Sequence, residues 1–540
     1  MMAPRATYGQ ERDAVQVEIE RRLMEVESAR ETEDTIGLLS ARIALAQAYG
    51  ALSLLSTQAN EPERALAEAR RSLFYAQQAQ APEALFRSQW RMAKLQAAIS
   101  EADPRPMFRS AAASLGLARS AAISRPNKDP LAEPESKGFY LDYLNALIEA
   151  ARASSGEEEV RRAELRAVIE SFRDSELTQY FGGICRRGTS FVCWRDLQPN
   201  EALVYPVVFE DRIEALIATA GGRLQLGPSV EIPRPKLIER VDGLRYFLEK
   251  STTNQYRPLA AELYGLLIAP WVGLLPASVD TLIFVPDDAL RPIPMAALLA
   301  PDGKFLIERY AVAMTPRLDA TQAGGGAADP RVLAIGLTHP AELPPLPFVE
   351  LELDAIRSFV GRRTMIRSDA SAPGHRRFHT LDGATKHQPF SVLHLATHAA
   401  FGADARTEVF LDTGGKALTV DEFGQVLEAV SQRGDPIELL VLSACETARG
   451  PLDERSALAA LGLAGVAVRS GAKSALATMW SLDDRAAMVF VGSFYRAWRS
   501  ADRPSKAQAV RQARRALIEH GDDYSHPSYW APFLLIGNWR

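Results

Sequence analysis

The sequence predicts helical hairpins in the first third of the chain, followed by an α/β domain on a mainly parallel sheet. Three observations predict this. Residues 11 to about 123 are dominated by Ala, Leu, Glu, Arg and Gln, with few turn residues between them. Beyond Ala202, short apolar runs of strand length alternate with amphipathic segments, the pattern of a parallel sheet covered on both faces. At 540 residues the chain is also too long for a single core.

The helical region is punctuated at Asn60–Pro62, Ala81–Pro82 and Asp103–Pro106, about 20 residues apart, the rhythm of antiparallel hairpins. Tyr49 and Trp90 stand 41 residues apart in similar segments. That spacing exceeds the roughly 34 residues of a tetratricopeptide repeat. The region is similar to such repeats and reads as TPR-like; a plain helical bundle is the alternative. Ser124–Lys137 (SRPNKDPLAEPESK) is rich in Pro and charge and reads as a linker. Further helix follows from Tyr140 to about Ser175, which sets the first region at 1–175.

The second region, 176–540, opens with a hairpin. Ala202–Phe209 and Ile213–Thr219 are strands around Glu210-Asp211-Arg212. Helices are expected at about 233–250 and 256–275. Strands are expected at Thr281–Val285, Val332–Leu337, Ser391–Ala396, Ile437–Ser443, Ser474–Met479 and Pro532–Ile536. Thr419 and Glu422 read as a capping box, and Asp484–Arg499 as a helix that Asp483 is placed to cap.

Composition narrows the function. The chain is 47% hydrophobic and 24% charged with a net charge of −5, no general basis for binding nucleic acid or a membrane. The longest apolar run, Ala457–Val468, is short of the roughly 20 residues a spanning helix needs. The start, MMAPRATYGQERD, lacks the apolar core of a secretory signal. Three cysteines, Cys185, Cys193 and Cys445, leave one unpaired and fit a reducing cytoplasm. No pair has zinc-site spacing, so no metal is expected. His394 and His398 lack the glutamate of a zinc-protease helix. Gly324–Gly326 reads as a loop rather than a phosphate cradle, and no cofactor is expected.

In open parallel sheets, reactive groups gather beyond the carboxyl ends of strands. Two such ends carry chemistry here. One is Val392–His398 (VLHLATH); the other is Leu439–Cys445 (LLVLSAC). A free thiol is only about 3% thiolate at pH 7. An imidazole beside it can take the proton and later protonate a leaving amine. Backbone N–H groups at the two strand ends, those of Ala399 and Cys445, are the natural oxyanion donors. Taken singly, each residue reads first as an ordinary small or polar group at a strand end; Cys185 and Cys193 do not follow strands and read as structural.

LHLATHAAF (393–401) and VLSACETARG (441–450) resemble the two signature blocks of the CHAT domain family, caspase-like domains often found behind tetratricopeptide repeats. Five further blocks continue the resemblance in order: 201–213, 263–270, 282–298, 471–484 and 528–537. The resemblance implies a caspase/separase-type α/β sandwich, with a degenerate half at about 176–370 and an active half at 371–540. It maps the catalytic histidine to His398 and the catalytic cysteine to Cys445. Ala399 departs from the glycine that caspase-like proteases usually carry after that histidine. If φ must be positive there, alanine is strained where glycine is not.

Residues 479–484 (MWSLDD) resemble the separase segment whose aspartate lines a pocket for a basic P1 side chain. Asp484 aligns best, Asp483 competes with it, and Glu446 beside the nucleophile is a third candidate. A carboxylate there selects Arg or Lys by a charge-assisted contact.

These implications give a cytoplasmic cysteine endopeptidase acting on protein or peptide substrates, restrained or activated through a protein partner on the helical region. Family context implies bacterial defence or programmed cell death, with a gasdermin-like pore-forming protein or a CRISPR-associated effector as substrate or partner. The rival reading is an inactive caspase-like scaffold that binds proteins through its helices, motivated by Ala399. A weaker third is an acyltransferase or thioesterase with the same nucleophile.

Overall fold

The computed structural model describes residues 5–99, 102–123, 133–153, 158–181, 194–316, 318, 330–339, 345–368, 390–397, 399–400, 408–410, 417–419, 422, 425, 427, 437–443, 472–480, 482–521 and 524–540. The chain forms two compact units, Met1–Gln179 and Tyr180–Arg540.

The first unit is helical: α1 (Arg5–Glu31), α2 (Thr35–Gln58), α3 (Pro62–Ala79), α4 (Pro82–Ile99), α5 (Arg105–Ile123), α6 (Glu133–Ala153) and α7 (Glu158–Phe181). Each helix from α1 to α5 packs on the next. The breaks read in the sequence are where these helices meet. Asp34 caps α2 by accepting from the Ile36 and Gly37 N–H groups. Proline opens α3 and α4, where its missing N–H is harmless. Asn60 and Gln80 take the left-handed conformation between helices.

Tyr49 is buried and stacks on Tyr75 at 5.6 Å. Trp90 sits against Phe86 and Phe139 and donates its indole N–H to Asp142 at 2.9 Å. One expectation shifts: α6 begins at Glu133, inside the stretch read as linker, because Pro134 is tolerated in a first turn. By length and composition α2 is apolar enough to cross a membrane. Here Leu45 and Leu52 of α2 are buried in one cluster with Ile19 and Val26 of α1.

The second unit begins with β1 (Glu201–Val208) and β2 (Arg212–Thr219), followed by β3 (Arg223–Leu226) and β4 (Val230–Glu231). Next come α8 (Arg234–Leu248), α9 (Tyr256–Leu267) and α10 (Ala269–Val272); Pro270 splits what the sequence suggests is one helix. Then come β5 (Thr281–Phe284), α11 (Leu306–Arg309), β6 (Ala311–Met314), β7 (Val332–Gly336), α12 (Val349–Val360) and β8 (Thr364–Ser368). The chain continues through β9 (Val392–Ala396), β10 (Ala399–Ala400), β11 (Glu408–Phe410), β12 (Ala417–Thr419), β13 (Leu439–Ser443) and β14 (Ser474–Thr478). It ends with α13 (Asp484–Trp498), α14 (Lys506–Glu519), α15 (Pro527–Trp530) and β15 (Phe533–Gly537).

A single large sheet carries the unit, in the order β3-β2-β1-β5-β6-β15-β14-β13-β9-β7-β8. It contains two parallel sets. One is β1, β5, β6 and β15; the other is β14, β13, β9, β7 and β8. They meet at β14–β15, which pair antiparallel from Ser474↔Gly537 to Thr478↔Phe533. Helical hairpins followed by a mainly parallel α/β sheet is therefore the architecture of this chain, as the sequence leads one to expect.

The strands of the second set are buried along their length at β7, β9 and β14. That burial explains why they read as continuous apolar runs. Helix α12 lies close on this set, because Gly336 of β7 presents no side chain: a Cβ there would stand 2.6 Å from Val349 Cγ1. Cys185, Cys193, residues 324–326 and most of the expected capping-box turn after Thr419 lie outside the described residues.

Candidate active site

Three neighbouring parallel strands end level. Gly336 of β7 pairs with Ala396 of β9, and Ala396 pairs with Ser443 of β13. The last rung is closed by the Thr397 N–H, which donates to the Ser443 carbonyl at 3.3 Å. His398 is two residues beyond Ala396, and Cys445 is two residues beyond Ser443. Both lie outside the described residues, as does Glu446. The approach to them is defined: two adjacent strands, one direction, one register.

Ala399 belongs to β10, where it pairs antiparallel with Val409. Its backbone is extended, a conformation any residue adopts, so the positive φ that would favour glycine is not taken up there.

The segment after β14 is fixed on several sides. Arg245 of α8 donates to the Met479 carbonyl at 2.6 Å and lies over the Trp480 ring at 4.8 Å. The Trp480 indole donates to the Ser528 carbonyl at 3.1 Å. Asp483 caps α13, its carboxylate accepting from the Ala486 N–H at 2.9 Å. Asp484 is half-buried, and its Oδ2 accepts from the Phe348 N–H at 2.8 Å, tying the start of α13 to the start of α12. Of the sequence-predicted pocket residues, these two are thus neighbours at one helix N-terminus, with different hydrogen-bond partners.

A buried polar network underlies the strands, and the sequence reading did not include it as a site. His394 of β9 and Glu352 of α12 are essentially inaccessible to solvent. His394 Nε2 lies 2.7 Å from Glu352 Oε1, and the Ser443 hydroxyl donates to Glu352 Oε2 at 3.1 Å. The Tyr495 hydroxyl of α13 is 3.4 Å from His394 Nδ1. Burial, reinforced by the Glu352 charge, pushes the Tyr495 phenol up, so it stays a donor. One tautomer satisfies every group: His394 donates from Nε2 to the carboxylate and accepts at Nδ1 from Tyr495. A signal existed for Glu352, which stands among Val349, Leu353 and Ile356 on the buried side of α12. A carboxylate on that stripe needs partners inside.

Among the described residues, no group of three or more His, Cys, Asp or Glu side chains is placed to hold a metal ion.

Known proteins share parts of this chain. Human tetratricopeptide repeat protein 28 is 22% identical over 354 residues, which are 55% of this chain and 14% of that protein. The chain thus spans about one seventh of the length of this relative. The Saccharomyces cerevisiae separase–securin complex, in two crystal structures, matches with TM-scores of 0.46 and 0.45 at 8% and 10% identity. Those matches cover 93% and 95% of this chain and 53% and 48% of the separase-complex chains. The Arg-specific cysteine proteinase gingipain R matches with a TM-score of 0.34 at 9% identity, over 56% of this chain and 75% of its own. The CHAT domain family model matches residues 257–538, from α9 to the last strand. That match takes in more than half of the chain and all three level strand ends, and the chain belongs to the CHAT domain family.

Proposed function

We propose that this chain is a cysteine endopeptidase of the caspase/separase type, with Cys445 as nucleophile and His398 as its acid–base partner. One observation carries the reading. Within a CHAT domain, β9 and β13 pair at Ala396↔Ser443, and His398 and Cys445 each follow that rung by two residues in the sequence.

In this reaction His398 takes the thiol proton as the Cys445 sulfur attacks the scissile carbonyl, and the Ala399 and Cys445 N–H groups receive the oxyanion. The C–N bond breaks as His398 protonates the leaving amine, leaving a thioester. His398 then takes a proton from water, which hydrolyses the thioester and restores the thiol. For specificity we assign Asp484 to a basic P1 residue, with Asp483 and Glu446 as its competitors. Support for Asp484 comes from the resemblance of residues 479–484 to the separase segment; each of the two carboxylates accepts a backbone N–H in the structure. Restraint or activation through a protein partner is assigned to the helical unit, and the site of action to the cytoplasm.

The test compares wild type with Cys445→Ala on fluorogenic peptides carrying Arg, Lys or Asp at P1. Cleavage by wild type alone, fastest after Arg or Lys, is expected. Equal rates for the two proteins overturn the nucleophile; preference for Asp at P1 overturns the assignment of Asp484.

A further inference from the structure

Among the described residues, the ladder between β9 and β13 ends at Ala396↔Ser443, closed by the Thr397 N–H on the Ser443 carbonyl. Five backbone rungs already set the register of these strands. Register alone fixes neither the twist nor the height at which a strand ends, and a dyad is sensitive to shifts of about 1 Å.

Glu352 sits at that place. Its two carboxylate oxygens go to different strands: Oε1 to His394 of β9, and Oε2 to Ser443, the last residue of β13. His394 is four residues before His398, and Ser443 is two before Cys445. A buried carboxylate is an expensive way to stabilise a core, and a well-packed apolar residue is often as good or better. A bridging carboxylate adds a fixed distance and direction between the two groups that bond it. Helix α12 supplies a firm base, close-packed on the side-chain-free Gly336 of β7 and tied to α13 by the bond from Phe348 N–H to Asp484. Tyr495 of α13 holds the other ring nitrogen of His394.

We propose that Glu352 is a positioning residue that locks the ends of β9 and β13 to one another through His394 and Ser443, and so sets the separation of His398 and Cys445. The inference rests on the proposed His398–Cys445 dyad.

The experiment is peptide-resolved mass spectrometry of Cys445 alkylation by iodoacetamide at about pH 6.5, on the full chain. Wild type, His398→Ala, Ser443→Ala, Ser443→Thr and Glu352→Gln are compared, each with a thermal melt. An imidazole-paired thiol reacts well below the ordinary thiol range, so His398→Ala should slow alkylation about tenfold. Ser443→Ala, which removes one arm of the bridge, should slow it to a similar extent at an unchanged melting temperature. Ser443→Thr, which restores the hydroxyl, should recover most of the rate. A role confined to stability would move the melting temperature and leave the alkylation rate alone.

If His398→Ala slows the reaction while Ser443→Ala and Glu352→Gln both react like wild type, the positioning role is overturned and the dyad stands. If His398→Ala makes no difference, the dyad reading fails and the positioning role fails with it. If Ser443→Ala does not fold, Glu352→Gln carries the comparison. Its amide keeps the shape and loses the double acceptor, and a wild-type rate there overturns the proposal.

Discussion

Gly336→Ala isolates the tight seat of α12 on the sheet. An added Cβ would lie 2.6 Å from Val349 Cγ1 and 2.7 Å from Leu353 Cδ1. Carbon atoms sit comfortably at about 3.5–4.0 Å, so the helix must retreat by roughly 1 Å or both side chains must leave their rotamers. Overpacking of this kind costs about 1–3 kcal/mol. Replacing glycine within a strand offsets about 0.5–1 kcal/mol of that through lower backbone entropy. The net expectation is a loss of about 1–2 kcal/mol. Urea unfolding followed by tryptophan fluorescence measures it, because Trp194, Trp271, Trp480, Trp498, Trp530 and Trp539 all belong to the second unit. Adding Val349→Ala removes the closest clash, so the double variant should lose less than the sum of the singles by about 0.5 kcal/mol or more. A Gly336→Ala protein as stable as wild type, or strict additivity of the pair, would refute the close seating of α12.

Two further outcomes concern the same region and the far end of the domain. Asp483→Ala removes the side-chain cap of α13 and should cost about 1 kcal/mol by thermal melt, whereas Asp483→Asn should cost little; equal losses would deny the cap. Burial holds the His526 imidazole below its ordinary range, against the weaker pull of the Thr253 carbonyl that its Nε2 bonds at 2.8 Å. The unfolded chain therefore binds the proton more readily, so stability is full above about pH 6.5 and falls as pH drops towards the folded value. His526→Gln should shrink the loss of melting temperature between about pH 7.5 and about pH 5.5, and an unchanged loss would count against this account.

Much of this architecture is legible in the chain because the signals are local. Prolines and left-handed residues between helices mark the hairpin breaks, and strands buried along their length read as unbroken apolar runs. Strand direction is not local. Nothing in Phe533–Gly537 announces that it runs antiparallel to β14 yet parallel to β6. Short β6 and the edge strand β8, with Thr364, Arg367 and Ser368 among its five residues, fall below the apolar pattern that marks their neighbours. The approach to the proposed dyad is legible because each strand ends in a small residue two positions before His398 or Cys445. Glu352 is legible only in part: it stands on the Val349–Leu353–Ile356 stripe of α12, but its partners on β9 and β13 are distant in sequence.

The antiparallel seam at β14–β15 has a consequence for how the domain is assembled and broken. The strand that fills the middle of the sheet, β15, comes last in chain order among the described strands of this sheet. Until it is made, the two parallel sets are separate half-sheets, each with an open flank at β6 or β14 that can recruit another chain. Trp539 and Arg540, just past this strand, then hold Glu201 at the start of β1, so the residues after β15 latch β1 in place. A premature stop ahead of Phe533 would remove the strand that joins the two sets, and the product should aggregate.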